Sequence, residues 1–191
     1  MRRVFALTAL SGLLFAPVLA VAAGSNSGPY SWTGAYVGAD AGVNKTNLDN
    51  FSSENTLTLG LDGGYNYQIS THFVAGGDVF YNYNKQTDHT FALGTTSHFG
   101  SNVYGVDGLV GFPVGMTGAF MPYVKLGYGH LEGTGDASGS DTAWRVGAGL
   151  AWKISMPVSV SIQYMHAKYG SNSDNWKNDN LTLGVSYHFG S

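Results

Sequence analysis

The chain has 191 residues and a formal net charge of −3, and only 11% of it is charged while tyrosine, phenylalanine and tryptophan reach 14%. A soluble domain averages about 25% charged residues, so the groups that would cover a water-facing surface are largely missing. The acidic balance excludes the electrostatic footprint of a nucleic-acid binder, and the absence of cysteine excludes disulfide stapling and zinc-thiolate sites.

Residues 1–23 open with Arg2 and Arg3, continue through an apolar run from Val4 to Val21, and end in small residues around Ala20-Val21-Ala22. This pattern predicts a secretory signal peptide cut after Ala22 or Ala23. An uncleaved anchor is the alternative, since a spanning helix needs roughly 20 apolar residues. With Arg2 and Arg3 removed, seven basic residues face twelve acidic ones, a net charge of −5. Residues 24–191 are then long enough for one domain and too short for two ordinary ones.

Beyond the signal no segment holds a helical period, and eight segments alternate apolar and polar residues as two-faced strands do. The first, Gly34 to Asn44, sets Ala35, Val37, Ala39, Ala41 and Val43 against Gly38, Asp40 and Gly42. The second, Thr56 to Tyr67, sets Leu57, Leu59, Leu61, Tyr65 and Tyr67 against Thr58, Gly60, Asp62 and Asn66. The third, His72 to Asn84, sets Phe73, Ala75, Val79, Tyr81 and Tyr83 against Gly76, Asp78 and Asn82. The fourth, Phe99 to Phe112, opposes Tyr104, Val106, Val110 and Phe112 to Gly105, Asp107 and Gly111. The fifth opposes Phe120, Pro122, Val124, Leu126 and Tyr128 to Tyr123, Lys125, Gly127 and Gly129. In the sixth, Trp144, Val146, Ala148, Leu150 and Trp152 oppose Arg145, Gly147 and Gly149. The seventh opposes Val158, Val160, Ile162 and Tyr164 to Ser159, Ser161 and Gln163. The eighth opposes Leu181, Leu183, Val185, Tyr187 and Phe189 to Thr182, Gly184, Ser186 and His188.

Each segment runs roughly 10 to 13 residues, near the 9 to 11 that a tilted strand needs to cross a bilayer. Aromatic residues gather at the ends of the apolar faces: Tyr65, Tyr67, Phe112, Phe120, Trp152, Tyr187 and Phe189 at one rim, and Tyr81, Tyr83, Tyr104, Tyr128, Trp144 and Tyr164 at the other. Two girdles of amphipathic rings suit two headgroup layers, whereas a soluble sandwich would centre its rings in a core. Short turns at Gln68 to Thr71, Pro113 to Gly118 and Ile154 to Pro157 alternate with longer polar loops at Lys45 to Glu54, Lys85 to Ser97, Gly133 to Ser140 and Gly170 to Trp176. The predicted fold is all-β, an eight-stranded antiparallel transmembrane β-barrel of up-and-down topology with its short turns periplasmic. Closure removes sheet edges whose unpaired groups would cost several kcal/mol each in hydrocarbon.

The stretches "SWTGAYVGADAGVNK" at Ser31 to Lys45, "PYVKLGYGHLE" at Pro122 to Glu132, "WRVGAGLAWKI" at Trp144 to Ile154 and "LTLGVSYHF" at Leu181 to Phe189 carry a resemblance. Together they resemble the eight-stranded outer-membrane β-barrel family, which includes opacity-type surface antigens and is similar to the transmembrane domain of outer membrane protein A. The resemblance spans essentially all of 24–191. It implies a Gram-negative outer-membrane protein with a surface antigen, adhesin, envelope-stabilising or narrow-pore role. It also implies that the closing strand is recognised by the barrel-insertion machinery, although the family usually stops at the final aromatic and this chain adds Gly190-Ser191.

By strand parity Asp40, Asp62, Asp78, Asp107, Lys125, Arg145 and Gln163 point into the barrel. Eight strands leave an interior that side chains can fill, and buried charges must pair. A lumenal network is therefore expected, with Lys125 and Arg145 bridging carboxylates and Gln163 and Asn66 as neutral partners. Four acids against two bases leave an excess, so the alternative to a plug is a narrow cation-preferring pore.

No cofactor is implied, and the six histidines show no metal-ligand spacing. One segment, "YMHAKYGSNSDNWKNDN" at Tyr164 to Asn180, is similar to the His, Ser, acid region of the lipid A deacylases, which are eight-stranded barrels. That resemblance would give His166, Ser171 or Ser173, and Asp179 a catalytic role. The family's serine falls two residues after its histidine, where this chain has Lys168, and its acid is Glu rather than Asp. A headgroup-level histidine is the plainer reading, and the chain is read as a non-enzyme. Expected partners are outer-membrane lipid and lipopolysaccharide, the insertion machinery, and a host or cell-surface ligand held by the long loops, with no nucleic acid.

Overall fold

In the computed structural model of the chain, residues 30–48, 54–90, 96–135, 140–169 and 176–190 are described. The signal peptide expected at 1–23, with its cut after Ala22 or Ala23, lies outside them. Eight strands follow in order: β1 (Gly34–Leu48), β2 (Glu54–Ser70), β3 (Phe73–Thr90), β4 (Thr96–Gly111), β5 (Phe120–Gly135), β6 (Ser140–Lys153), β7 (Val158–Tyr169) and β8 (Trp176–Phe189). Each pairs antiparallel with its sequence neighbours, and β1 pairs with β8 from Ala35↔Phe189 to Leu48↔Trp176, closing the barrel. The up-and-down topology expected from the alternation is the one found, and the sandwich alternative is removed.

The two faces of the wall are inverted relative to a water-soluble domain. Leu61, Val106, Val146, Leu183 and Val185 are more than half exposed, whereas Asp78, Asp107, Lys125 and Arg145 are buried. Exposed apolar surface on this scale marks contact with lipid or a partner. All the rings assigned to the two girdles face outward or are half-exposed. The register groups them in cross-strand pairs: Phe120↔Trp152 near the turn end, and Tyr81↔Tyr104 and Tyr128↔Trp144 near the other.

At the turn end the connections are tight. Residues 71–72 join β2 to β3, and residues 154–157 join β6 to β7, with Val158 N–H donating to Ser155 O at 2.8 Å. The turn between β4 and β5 closes through Val114 N–H to Phe120 O at 2.8 Å and needs a left-handed backbone at Gly115 (φ 82°) and Gly118 (φ 67°).

At the opposite end the strands outrun expectation. Pairing of β3 and β4 continues to Thr90↔Thr96, past a register shift between Asn84 and Thr87, inside what reads in sequence as the loop Lys85 to Ser97. Likewise β1 reaches Leu48 and β5 reaches Gly135. The strands therefore span 12 to 18 residues rather than stopping with the apolar stripe. The reason is that backbone pairing does not need apolar side chains. A ladder of Asn, Thr and Asp can continue in water, while alternation reports only the lipid-facing part. The tips of these loops, and the Gly170 to Trp176 loop up to residue 175, lie outside the described residues.

Candidate functional site: the lumen and the loop-end rim

Alternation sends every second residue of β1 to β8 inward, and the stagger of neighbouring strands brings their charges to one level. Lys125 of β5 stands at the centre. Its Nζ is 2.7 Å from Asp78 Oδ2 of β3 and 3.8 Å from Asp107 Oδ2 of β4. Arg145 Nε of β6 is 3.2 Å from Asp107 Oδ1, and its guanidinium lies 3.7 Å from the centre of the Phe80 ring. Tyr36 OH donates to Asp78 Oδ2 at 2.8 Å. Charges withdrawn from water this far must be paired, and all four are in ion pairs, although Asp78 Oδ1, both Asp107 oxygens and Arg145 Nε make no hydrogen bond among the described residues.

The remaining predicted lumenal residues occupy the same space with different contacts. Asp40 and Asp62 line the central cavity beside Lys125, and neither makes an ion pair with a cation among the described residues. Gln163 Oε1 accepts from Tyr123 OH at 3.2 Å. Asn66 is buried, and its Oδ1 accepts no hydrogen bond among the described residues. Glycine makes room for these groups. A Cβ at Gly60 would overlap the Asp40 carboxylate, and one at Gly127 would overlap Asp107 Oδ1.

Two apolar layers cap the polar one. Toward the turn end Trp32, Val74, Leu109, Met121, Tyr123 and Ala151 form a buried cluster. Trp32, just ahead of β1, is anchored by Nε1–H donation to Gly118 O at 2.8 Å and by its backbone N–H to Gln68 Oε1 at 3.0 Å. Toward the loop end Phe80, Val103, Leu131, Ala143, Ala167 and Tyr169 form the second cluster. A cavity of about 70 Å³, room for a few waters, runs beside the charges and along the turn-end cluster as far as Ser159 and His188, and a second void near Asn82, Asn84 and Tyr169 measures about 10 Å³. Arg145 lines both.

On the outer wall the structure places His166 against Asp179, with Nδ1 to Oδ1 at 2.7 Å, and Tyr164 OH donates to the same oxygen at 2.6 Å. Ser171 and Ser173 lie outside the described residues. Lys168 occupies the next outward position along β7. A related trio stands on β4 and β5. There Tyr104 OH donates to Glu132 Oε1 at 3.0 Å, and His130 Nε2 lies 3.8 Å from it. Among the described residues no group of His, Asp and Glu is arranged to hold a metal ion.

The sequence model described as outer membrane protein beta-barrel domain matches residues 6–189. The chain belongs to that family. Membership implies the cell outer membrane, and for a barrel of this family the tight turns face the periplasm and the loop end faces outward. Among solved structures the barrel is similar to Neisserial surface protein A, with a TM-score of 0.62 and 18% identity over 82% of this chain and 98% of that one. It is also similar to the attachment invasion locus protein of Yersinia pestis, with a TM-score of 0.57 and 18% identity over 83% and 100% of the two chains. Outer membrane protein OprG from Pseudomonas aeruginosa follows at 0.51 and 14% identity, over 86% and 100%. At these identities the likeness is one of fold. No curated protein matches the sequence.

Within this outer-membrane barrel several lumenal residues escape a reading of the sequence that credits only polar residues to the interior. Phe80, Leu109, Met121 and Tyr169 are apolar or aromatic and point inward, and Trp32 precedes the first alternating segment. Lys153 is a third inward base, 1% exposed, with its Nζ 5.2 Å from the centre of the Trp32 ring. With Asp141, which stands at the loop end of the same odd-numbered inward series of β6, the expected four acids against two bases become five against three among the described residues. Parity could have found Lys153, because it continues the odd-numbered inward series of β6 from Arg145.

Proposed function

We propose that this chain is a surface-exposed outer-membrane protein, of surface antigen or adhesin type, whose barrel is a closed scaffold for its loop end. The observation that carries the reading is the lumen: paired charges around Lys125 and two packed apolar clusters obstruct it, and the cavity beside them has room for only a few waters, about 70 Å³. A path for solutes would have to displace Trp32 with its two hydrogen bonds at one end and the Phe80–Arg145 stack further along. Contact with a host or neighbouring-cell ligand then falls to the strand extensions and loops, which leave the membrane on polar residues. Planar-bilayer recording on the purified protein tests closure: sparse or no openings are expected, and large steady openings would sink it. Expression in a non-adherent strain tests the surface role, with a gain in attachment expected.

Asp40 and Asp62 favour a second reading, a narrow cation-preferring path, because they face the cavity without an ion pair among the described residues. Small cation-selective currents that vanish in an Asp40→Asn/Asp62→Asn variant would select it. Catalysis is not part of the proposal. His166 and Asp179 are together, but Lys168 stands where the deacylase-like arrangement needs its serine. Unchanged lipid A acylation after expression is the expected result. Strand β8, paired with β1 along its length, is the segment offered to the insertion machinery.

A further inference from the structure

The ion pairs leave half of the mid-lumen acid unanswered. Lys125 and Arg145 serve Asp78 and Asp107, while Asp40 of β1 and Asp62 of β2 face the cavity with no cation paired to them among the described residues. Lys153 does not offset them, since it stands at the turn end against Trp32 and does not line this cavity. Two negative charges are therefore in excess at this level. The register sets Asp62 opposite Gly38 and Asp40 opposite Gly60, so the two acids hold diagonal positions across one strand seam, roughly 7 to 8 Å apart. Each leans over the glycine that faces it: Asp40 Oδ2 takes the space a Cβ at Gly60 would need, and Asp62 Oδ1 that at Gly38.

Neutral oxygens gather at the same two places. Asn82 Oδ1 stands 2.7 Å from the Cβ position of Gly60, beside Asp40 Oδ2, and Ser186 Oγ stands 2.8 Å from that of Gly38, beside Asp62 Oδ1. Asn82 is 9% exposed and lines the cavity, and its side chain makes no hydrogen bond among the described residues. An amide oxygen and a carboxylate oxygen are both acceptors, so side by side they call for a cation or a donor between them. The Thr182 hydroxyl beside Asp40 is neutral and leaves its charge in place. His188, at the turn end of the cavity, is engaged with Ser159. What remains is a set of hard oxygen donors, with room in about 70 Å³ for waters to complete a shell of six to eight ligands. Two carboxylates do not make a cage from protein alone, which agrees with the absence of any group of three His, Asp or Glu among the described residues. Asn82 also lines the small loop-end void with Asn84, Asn178 and Asn180, so neutral side chains mark a way in.

We propose that the lumen is a binding site for one resident divalent cation of the calcium kind, held by Asp40 and Asp62, with Asn82 and Ser186 as neutral ligands and cavity waters completing the shell. One such ion cancels the two charges that Lys125 and Arg145 leave over, and those two bases, already in the same cavity, leave no charge for a second. The four ligands come from β1, β2, β3 and β8, so the ion ties the closing seam of the barrel to its neighbours. A retained ion is not a conducted one. The site shares its two acids with the cation path, but it needs no current and stands equally in a closed barrel.

The test is native mass spectrometry of the membrane-purified protein in detergent, stripped with a chelator, washed, and titrated with Ca²⁺, Mg²⁺ or Na⁺ alone. One Ca²⁺ per barrel is expected, held more tightly than Mg²⁺ or Na⁺ and raising the urea midpoint. Asp40→Asn and Asp62→Asn should each weaken binding about tenfold or more, and Asn82→Ala by less. Glu132→Gln, which removes an exposed acid of the outer rim, should leave it unchanged. Asparagine matches aspartate in size, and gel mobility with and without boiling reports that each variant is folded. Without Ca²⁺ the two asparagine variants should unfold at or above the parent midpoint, because the excess charge is gone. No retained Ca²⁺, undiminished binding in an Asp40→Asn/Asp62→Asn variant, equal weakening by Glu132→Gln, or a tighter hold on Mg²⁺ or Na⁺ would overturn the proposal. Bilayer currents decide closure separately: a silent barrel that binds no Ca²⁺ removes the ion and leaves the closed scaffold standing.

Discussion

Strand β5 shows two chemistries on one backbone. Inward, Tyr123, Lys125 and Gly127 each have a designated neighbour: Gln163, Asp78 and the Asp107 carboxylate that fills the space a Cβ would need. Outward, Val124 and Leu126 are half exposed and answer only to lipid, and Tyr128 adds a ring contact with Trp144. The lumen is thus specified residue by residue, because a charge or a void in a packed interior has nowhere else to find a partner. The outer wall is specified only by polarity, because one acyl chain serves any apolar side chain as well as another.

Substitutions can break this contrast at graded cost. The largest loss is expected for Lys125→Met, which leaves Asp78 and Asp107 without their shared cation; about 3–5 kcal/mol should disappear in urea unfolding of the micelle-bound barrel. Adding Asp78→Leu to that variant should restore much of it, and no recovery would mean that the pair is not the source of the loss. Next comes Leu183→Arg, a charge on the lipid face between the girdles, expected to cost about 2–4 kcal/mol in the same assay. If it is silent, this face does not meet hydrocarbon.

A matched glycine pair sharpens the comparison. Gly127→Ala drives a methyl into Asp107 and should cost about 1–3 kcal/mol, whereas at outward-facing Gly108 the nearest atom to an added Cβ is Leu126 O at 3.6 Å. Gly108→Ala should therefore stay within about 0.5 kcal/mol, and equal effects at the two sites would erase the inward–outward distinction. The smallest effect belongs to Val185→Ile on the lipid face, also within about 0.5 kcal/mol, with unfolding midpoints as the readout.

Much of the barrel was legible in the sequence because a period of two is a direct statement about faces. Parity assigned Asp78, Asp107, Lys125 and Arg145 inward, and the structure brings those four together. Asp40 and Asp62 share their cavity without joining the ion pairs. Strand ends were less legible, since β3 and β4 keep pairing through Asp88↔His98 after the apolar stripe has ended. Phe80 and Leu109 were hidden for the complementary reason: an apolar residue at an inward position looks like a break in the alternation when it is part of a plug.

The sequence by itself determined the strand count, the two faces, the girdles and the inward set of charges, because each is a local property of spacing along one chain. Only the tertiary structure decided which carboxylate meets which cation, that Trp32 folds back to seal the turn end, and that Lys45, His166 and Asp179 share one rim. Those relations depend on register across the β1–β8 closure and across the β7–β8 hairpin, where one residue of slip would send every side chain to the other face. Register is settled by the whole barrel closing at once, which no stretch of sequence states.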